Sequence, residues 1–78
     1  MANGNVYLGR AVACTRLERG WKVKEMVRRV GMSMPYLYEI ENGVKTPSNE
    51  MLDKIAQALG VTTSALLARA EEIERLYG

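Results

Sequence analysis

The stretch from Trp21 to Gly43 constrains the fold of this chain more than any other part of its sequence. Gly31 divides it, because glycine adopts the left-handed conformation that ends a helix at no steric cost. Ser33 follows as the expected N-cap of a second helix, with Pro35 in its first turn. Apolar residues before Gly31 recur at helical spacing, at Val23, Met26, Val27 and Val30. Two short helices joined by a tight glycine turn form a helix-turn-helix.

The rest of the sequence predicts three more helices around this unit. We expect the five helices at about Val6 to Arg19, Val23 to Val30, Met34 to Asn42, Pro47-Ser48 to just before Gly60, and Thr62 to Leu76. No segment alternates with a period of two, so no strand is expected. The predicted fold class is therefore all-α, a compact bundle of five helices.

The length of 78 residues allows one domain. We expect residues 1–5 to be disordered, residues 6–67 to form the helix-turn-helix domain, and residues 68–78 to extend its last helix. Because the start is polar and no long apolar run follows, we expect neither a signal peptide nor a membrane span.

An ordered set of short motifs resembles the Cro/cI-like, or XRE, family of phage-repressor-type helix-turn-helix proteins. The most specific of these motifs are Ile40-Glu41-Asn42-Gly43, Pro47-Ser48 and Ala58-Leu59-Gly60-Val61. The resemblance covers about Leu8 to Leu67. It implies a lambda-repressor-like bundle and a cytoplasmic regulator of transcription, bacterial or phage, that binds operator DNA as a repressor.

Charge is unevenly distributed along the chain. Residues 10–29 carry seven Lys and Arg against two Glu, a net charge of +5, whereas residues 39–53 carry one Lys against four acidic residues, a net charge of −3. A basic first half is the expected footprint of a protein that binds the phosphate backbone. The alternative is that these charges form an ordinary solvated face.

Residue types needed for catalysis or metal binding are scarce. The absence of histidine argues against the usual zinc sites and against a Ser-His-Asp or Cys-His nucleophile. The single Cys14 forms no internal disulfide, and we interpret it as a small packing residue. We therefore expect neither enzymatic activity nor a cofactor or metal.

The family resemblance implies which residues meet DNA. In this family the third helix lies in the major groove. Carried over by position, the base-reading residues would be Met34, Pro35, Tyr38 and Glu39. The residues that contact the DNA backbone would be Lys22, Lys24, Tyr36, Asn42, Lys45 and Thr46. Leu37 and Ile40 are expected to face the core.

The sequence departs from the family pattern in two ways, one at the start of the second helix and one that leaves the third helix few side chains for direct readout of bases. Lys22 and Val23 stand where the family usually has a Ser or Thr cap followed by Gln. The third helix also lacks Arg, Lys, Gln and Asn before Asn42, and those are the side chains that make bidentate contacts to guanine and adenine. What remains is apolar contact to thymine methyl groups, the Tyr38 hydroxyl, and Glu39 accepting from a cytosine amino group.

Two further features carry structural expectations. Arg16 falls on the buried face of the first helix, and the resemblance implies that it forms an ion pair with Glu41.

The fifth helix continues beyond the family pattern with an apolar stripe. We interpret this stripe as a homodimer interface, formed by Ala70, Ile73, Leu76 and Tyr77. The alternative is that this stripe covers the first helix of the same chain.

Three functions remain open at this point. The first is a sequence-specific transcriptional regulator that binds double-stranded DNA as a homodimer. The second is an antitoxin that also holds a toxin as its protein partner. The third is a protein-interaction module that has lost DNA readout, which the apolar, acidic third helix keeps open.

Overall fold

The computed structural model describes residues 4–78, and these residues form five helices without a strand. The helices are α1 (Gly4–Glu18), α2 (Val23–Val30), α3 (Met34–Glu41), α4 (Asn49–Leu59) and α5 (Thr63–Tyr77). The predicted all-α bundle of five helices is confirmed. α1 begins two residues earlier than predicted, and residues 1–3, where the rest of the predicted disordered segment falls, lie outside the described residues.

Side-chain caps explain where three of the helices begin. The hydroxyl oxygens of Ser33, Ser48 and Thr62 accept hydrogen bonds from backbone N–H groups three residues later, at 3.2, 3.1 and 2.9 Å. Each bond satisfies a donor that has no partner within its own helix. α2 instead begins after Lys22, whose ammonium cannot accept, and its first turn has no side-chain cap.

The core lies where α1 meets the other helices. α1 packs along α5 and also contacts α3 and α4, while α2 packs on α3 and α4. The largest side chains buried there are Met26, Leu37, Ile40, Ile55, Leu59, Leu66 and Val12. Every helix contributes at least one of them, so this single core fixes the position of α3.

Gly9 brings the backbone of α1 against the end of α3. A Cβ atom at this position would lie 2.3 Å from the carbonyl oxygen of Ile40 and 2.6 Å from that of Glu41. Those oxygens belong to backbone and cannot rotate away. Glycine inside α1 therefore permits a close helix contact, and the sequence pattern did not predict this role.

No helix within residues 4–78 combines the length and apolar character needed to cross a bilayer.

Candidate nucleic-acid interface

The turn between α2 and α3 has the geometry of a helix-turn-helix. Gly31 adopts φ 85° and ψ 48°, in the left-handed region. The N–H groups of Gly31 and Met32 both donate to the carbonyl oxygen of Val27, at 2.8 and 3.2 Å. Met26 of α2 and Leu37 of α3 are fully buried in the core. The turn and these two anchors hold the two helices in one orientation.

α3 exposes an apolar and aromatic face. Met34 is 38% exposed and Tyr38 is 47% exposed, and they lie one turn apart on the same side of the helix. Pro35 is also exposed, whereas Leu37 and Ile40 are buried, as expected for residues that carry no readout. We call Met34, Pro35, Tyr38 and Glu39 the α3 surface.

Glu39 differs from the other members of the α3 surface because it has an ionic partner. Its carboxylate lies 3.5 Å from the Lys45 ammonium, and its side chain is 39% exposed. The N–H groups of Val44 and Lys45 donate to the Glu39 carbonyl oxygen at 2.8 and 3.2 Å, which folds the loop back onto α3. The same ammonium lies 6.0 Å from the centre of the Tyr36 ring. Tyr36 and Lys45, predicted to contact the DNA backbone, thus form one cluster with Glu39, which was predicted to read bases.

Asn42 acts as the C-cap of α3. Its side-chain N–H2 group donates to the carbonyl oxygen of Tyr38 at 2.8 Å. One of the two amide donors is therefore used within the protein, which leaves the other for a phosphate oxygen. The Thr46 side chain is exposed in the loop that follows.

The start of α2 carries two exposed basic residues. Lys22 and Lys24 are exposed, and neither forms an ion pair with the side chains that the structure describes. The first N–H groups of α2 have no side-chain acceptor, so they add partial positive charge beside Lys22. This combination is suited to a phosphate group.

Later in α2 the basic residues are partly neutralised. Glu25 forms ion pairs with Arg28 at 2.5 Å and with Arg29 at 2.6 Å. Hydrogen bonds from Arg28 and then Arg29 lower the pKa of the Glu25 carboxyl below its usual value. The Arg29 guanidinium also lies over the Trp21 ring, 4.2 Å from its centre. Arg28 and Arg29 are thus less available to DNA than the +5 charge of this region implies.

Arg16 and Glu41 are brought together at the other end of α3. The guanidinium donates to both carboxylate oxygens, at 2.8 and 3.1 Å, and also to the Trp21 carbonyl oxygen at 2.8 Å. These bonds join α1 to the last residue of α3 and to the segment that leads into α2.

The predicted dimer residues on α5 have different environments. Ala70 is 8% exposed and belongs to the chain's own core, so it cannot contribute a contact surface. Ile73 packs partly against that core, whereas Leu76 is 64% and Tyr77 is 80% exposed. A groove of about 490 Å³ runs between α1 and α5, lined by Val6, Tyr7, Arg10, Cys14, Ile73 and Tyr77.

Other chemistry is limited over the part of the chain that the structure describes. No group of three or more His, Cys, Asp or Glu side chains there is placed to hold a metal ion. Glu18 and Arg69 join α1 to α5 through hydrogen bonds of 2.7 and 2.5 Å, and this contact lowers the pKa of the Glu18 carboxyl.

Comparison with known proteins identifies relatives over two thirds or more of the chain. A protein-family profile described as "Helix-turn-helix domain" matches residues 9–72. An uncharacterized HTH-type transcriptional regulator of Mycobacterium tuberculosis is 38% identical over 52 residues, which cover 67% of this chain and 37% of that protein. The HTH-type transcriptional regulator SinR of Bacillus licheniformis is 31% identical over 68 residues, covering 86% of this chain and 61% of SinR.

A solved structure matches the fold closely. The crystal structure of the clp gene regulator ClgR from Corynebacterium glutamicum superposes with a TM-score of 0.89 at 30% identity, covering 94% of this chain and 78% of that one. The chain thus matches most of that structure, but it spans less than two thirds of the length of the two curated relatives above.

Proposed function

This chain belongs to the helix-turn-helix family of DNA-binding transcriptional regulators, and we propose that it represses transcription by holding operator DNA against α2 and α3. The observation that carries this proposal is the presence, beside the α3 surface, of two exposed lysines at the start of α2 that form no ion pair with the described side chains. A helix in the major groove needs such flanking positive charge to hold the phosphate backbone. We assign it no enzymatic activity, cofactor or metal, and we place it in the cytoplasm, where its DNA would be.

Each part of the interface would have a separate task. Met34, Pro35, Tyr38 and Glu39 would face base edges, because the first three are exposed on α3 and Glu39, which follows Tyr38, is partly exposed. Lys22 and Lys24 would meet one strand of the backbone. Phosphates along α3 and the loop after it would meet Tyr36, Asn42, Lys45 and Thr46. Arg16 and Glu41 would contact no DNA and would hold α3 in place.

We further propose that the chain binds as a homodimer through α5 and the groove beside α1. The supporting observation is that Leu76 and Tyr77 are exposed and that Tyr77 also lines the groove. A twofold interface uses the same patch on both copies, so the exposed end of α5 in one copy could pack against the groove of the other. Arg10 at the groove and Glu74 on α5 form no ion pair with the described side chains, so an Arg10–Glu74 contact between copies would add charge complementarity. Two α3 helices about 34 Å apart would then meet successive major grooves.

A gel-shift assay against DNA from upstream of the chain's own gene tests this function. We expect a shifted band that weakens when Lys22 or Lys24 is replaced by Glu. Lys54→Glu is the matched control, because it makes the same charge change on an exposed residue of α4. Equal weakening by the control variant would show only a general charge effect and would count against the proposed surface.

The exposed apolar residues of α3 also support a second function, a protein-interaction module. Met34 and Tyr38 are suited to burial against another protein as well as against DNA. An antitoxin would combine both activities, with a toxin as the protein partner. Binding to no duplex at any salt concentration, with Met34→Ala weakening capture of a partner, would favour the interaction module over the regulator.

A further inference from the structure

We propose that the α3 surface recognises its operator mainly through the C5 methyl groups of thymine in the major groove. This inference rests on the DNA-binding function proposed above and specifies what that surface reads.

The first argument is that hydrogen-bond donors are nearly absent from the α3 surface. Specific contacts to guanine and adenine normally come from Arg, Lys, Asn or Gln side chains that engage two atoms of one base. α3 contains none of these types. The next such residues along the chain, Asn42 and Lys45, follow the C-terminal end of α3, whereas Met34 and Pro35 lie at its start.

The second argument is that apolar atoms occupy the positions where donors would stand. Met34 is 38% exposed at the start of the helix, Tyr38 is 47% exposed one turn later, and Pro35 lies exposed beside Met34. Val44, 68% exposed, is held next to α3 by its N–H bond to the Glu39 carbonyl oxygen. In the major groove, the thymine C5 methyl is the apolar group that standard bases offer to such side chains.

Glu39 restricts which bases can lie at the second turn of α3. A carboxylate only accepts hydrogen bonds, so it is repelled by guanine O6 and N7 and by thymine O4, and it favours a cytosine amino group. We therefore place the thymine methyl contacts at Met34 and Pro35, in the first turn, and any cytosine contact at Glu39.

Replacing thymidine by deoxyuridine tests this directly, because it removes the methyl group and keeps every base-pairing atom. The probe is a fluorescent duplex of about 30 base pairs, recovered by selection from a random-sequence pool and then synthesised with either base. Burial of one methyl group changes affinity about four-fold, so a twofold-symmetric site with one contact in each half should lose about sixteen-fold. Affinity is measured for the wild type, Met34→Ala and Met34→Leu.

The variants separate methyl contact from any change in DNA shape. We expect Met34→Ala to bind the thymidine duplex more weakly and to discriminate less between the two duplexes, while Met34→Leu keeps the discrimination. Met34 is outside the core, and thermal unfolding monitored by circular dichroism checks that both variants fold.

Each other outcome overturns the inference. Equal affinity of the wild type for both duplexes, or an equal loss for the wild type and Met34→Ala, would show that methyl contacts at Met34 do not carry recognition, while DNA binding itself would stand. A selection that recovers no bound duplex would overturn the proposed function together with the inference.

Discussion

Arg16 of α1 and Glu41, the last residue of α3, form an ion pair in which each side chain is only 10% exposed. Two hydrogen bonds join the guanidinium to the carboxylate, and a third reaches the Trp21 carbonyl oxygen. The charges are almost removed from water, yet each has partners that replace its hydration. The pair therefore fixes the end of the proposed recognition helix to the core.

Removing one member of this pair should destabilise the fold strongly. Glu41→Ala leaves the buried Arg16 guanidinium without its partner, and we expect a loss of about 3–5 kcal/mol in the free energy of unfolding. Replacing both residues, as Arg16→Met with Glu41→Leu, should recover much of that loss because no buried charge remains. Urea unfolding monitored by circular dichroism measures both.

The exposed ion pairs of Glu25 provide the control. Glu25→Ala breaks contacts that solvent already screens, so stability should change little. If Glu25→Ala and Glu41→Ala lowered the free energy of unfolding by similar amounts, burial would not make the Arg16–Glu41 pair more important for stability than an exposed pair.

Gly43 should be more sensitive to substitution than Gly60, although both have φ 76°. Gly60→Ala meets only left-handed strain of about 1–2 kcal/mol, because its nearest neighbour would be the Arg19 Nη2 atom at 3.9 Å. At Gly43 an added Cβ would lie 2.9 Å from the Cα of Val6, so overpacking should add roughly 1–3 kcal/mol.

Thermal unfolding of Gly43→Ala and Gly60→Ala measures the difference. Equal losses of stability would mean that the end of α3 can move away from α1 without cost.

Glu39→Gln separates two roles that the structure allows for this carboxylate. If Glu39 reads a base, the substitution should change discrimination at one operator position by about 1–3 kcal/mol. If Glu39 only positions Lys45, its loss should weaken binding to all sequences alike, and Lys45→Met should weaken it in the same way.

We expect base discrimination, because an ion pair that is 39% exposed at Glu39 and 57% exposed at Lys45 is weak enough to open on DNA. Competition binding against duplexes with single base changes gives the answer. An unchanged ranking of these duplexes would remove Glu39 from the base-reading set.

The proposed dimer is tested with Leu76→Asp combined with Tyr77→Asp. Both residues are exposed, so a charged pair should leave the monomer folded, whereas Ile73→Asp would also disturb the core against which Ile73 packs. We expect sedimentation to change from dimer to monomer and operator affinity to fall sharply. Leu17→Asp is the control, since Leu17 is 63% exposed and does not line the groove.

A wild-type chain that sediments as a monomer at high concentration and stays monomeric on its operator would contradict the dimer.

The helices were predictable because their signals are local. The predicted bounds of the helices lie within one to two residues of the observed ones. The bounds are marked by periodic apolar residues, by Gly31 and by the caps Ser33 and Thr62. Only α1 starts earlier than its pattern indicated. Ser48, at the predicted start of α4, is its cap.

Contacts between distant or folded-back segments were not predictable from the pattern. The role of Gly9 depends on the position of α3, and the Glu39–Lys45 and Asn42–Tyr38 contacts depend on how the loop and cap close. Nothing in the local sequence of Arg16 or of Glu41 indicates that the two residues are partners. Only the family resemblance indicated this pair. Ala70 fits the exposed stripe by spacing, yet it is buried in the chain's own core, because α5 packs against other helices of the bundle.

The salt dependence of duplex binding tests the central claim most directly. Anisotropy titrations over a series of salt concentrations give the slope of log K against log salt, in which each phosphate contact contributes about −0.9. We predict a steep slope for the wild type, one less steep by about 1 for Lys22→Gln, and an unchanged slope for Lys54→Gln. Binding that does not depend on salt, no binding to any duplex, or a slope that responds to Lys54 and not to Lys22 would contradict the account.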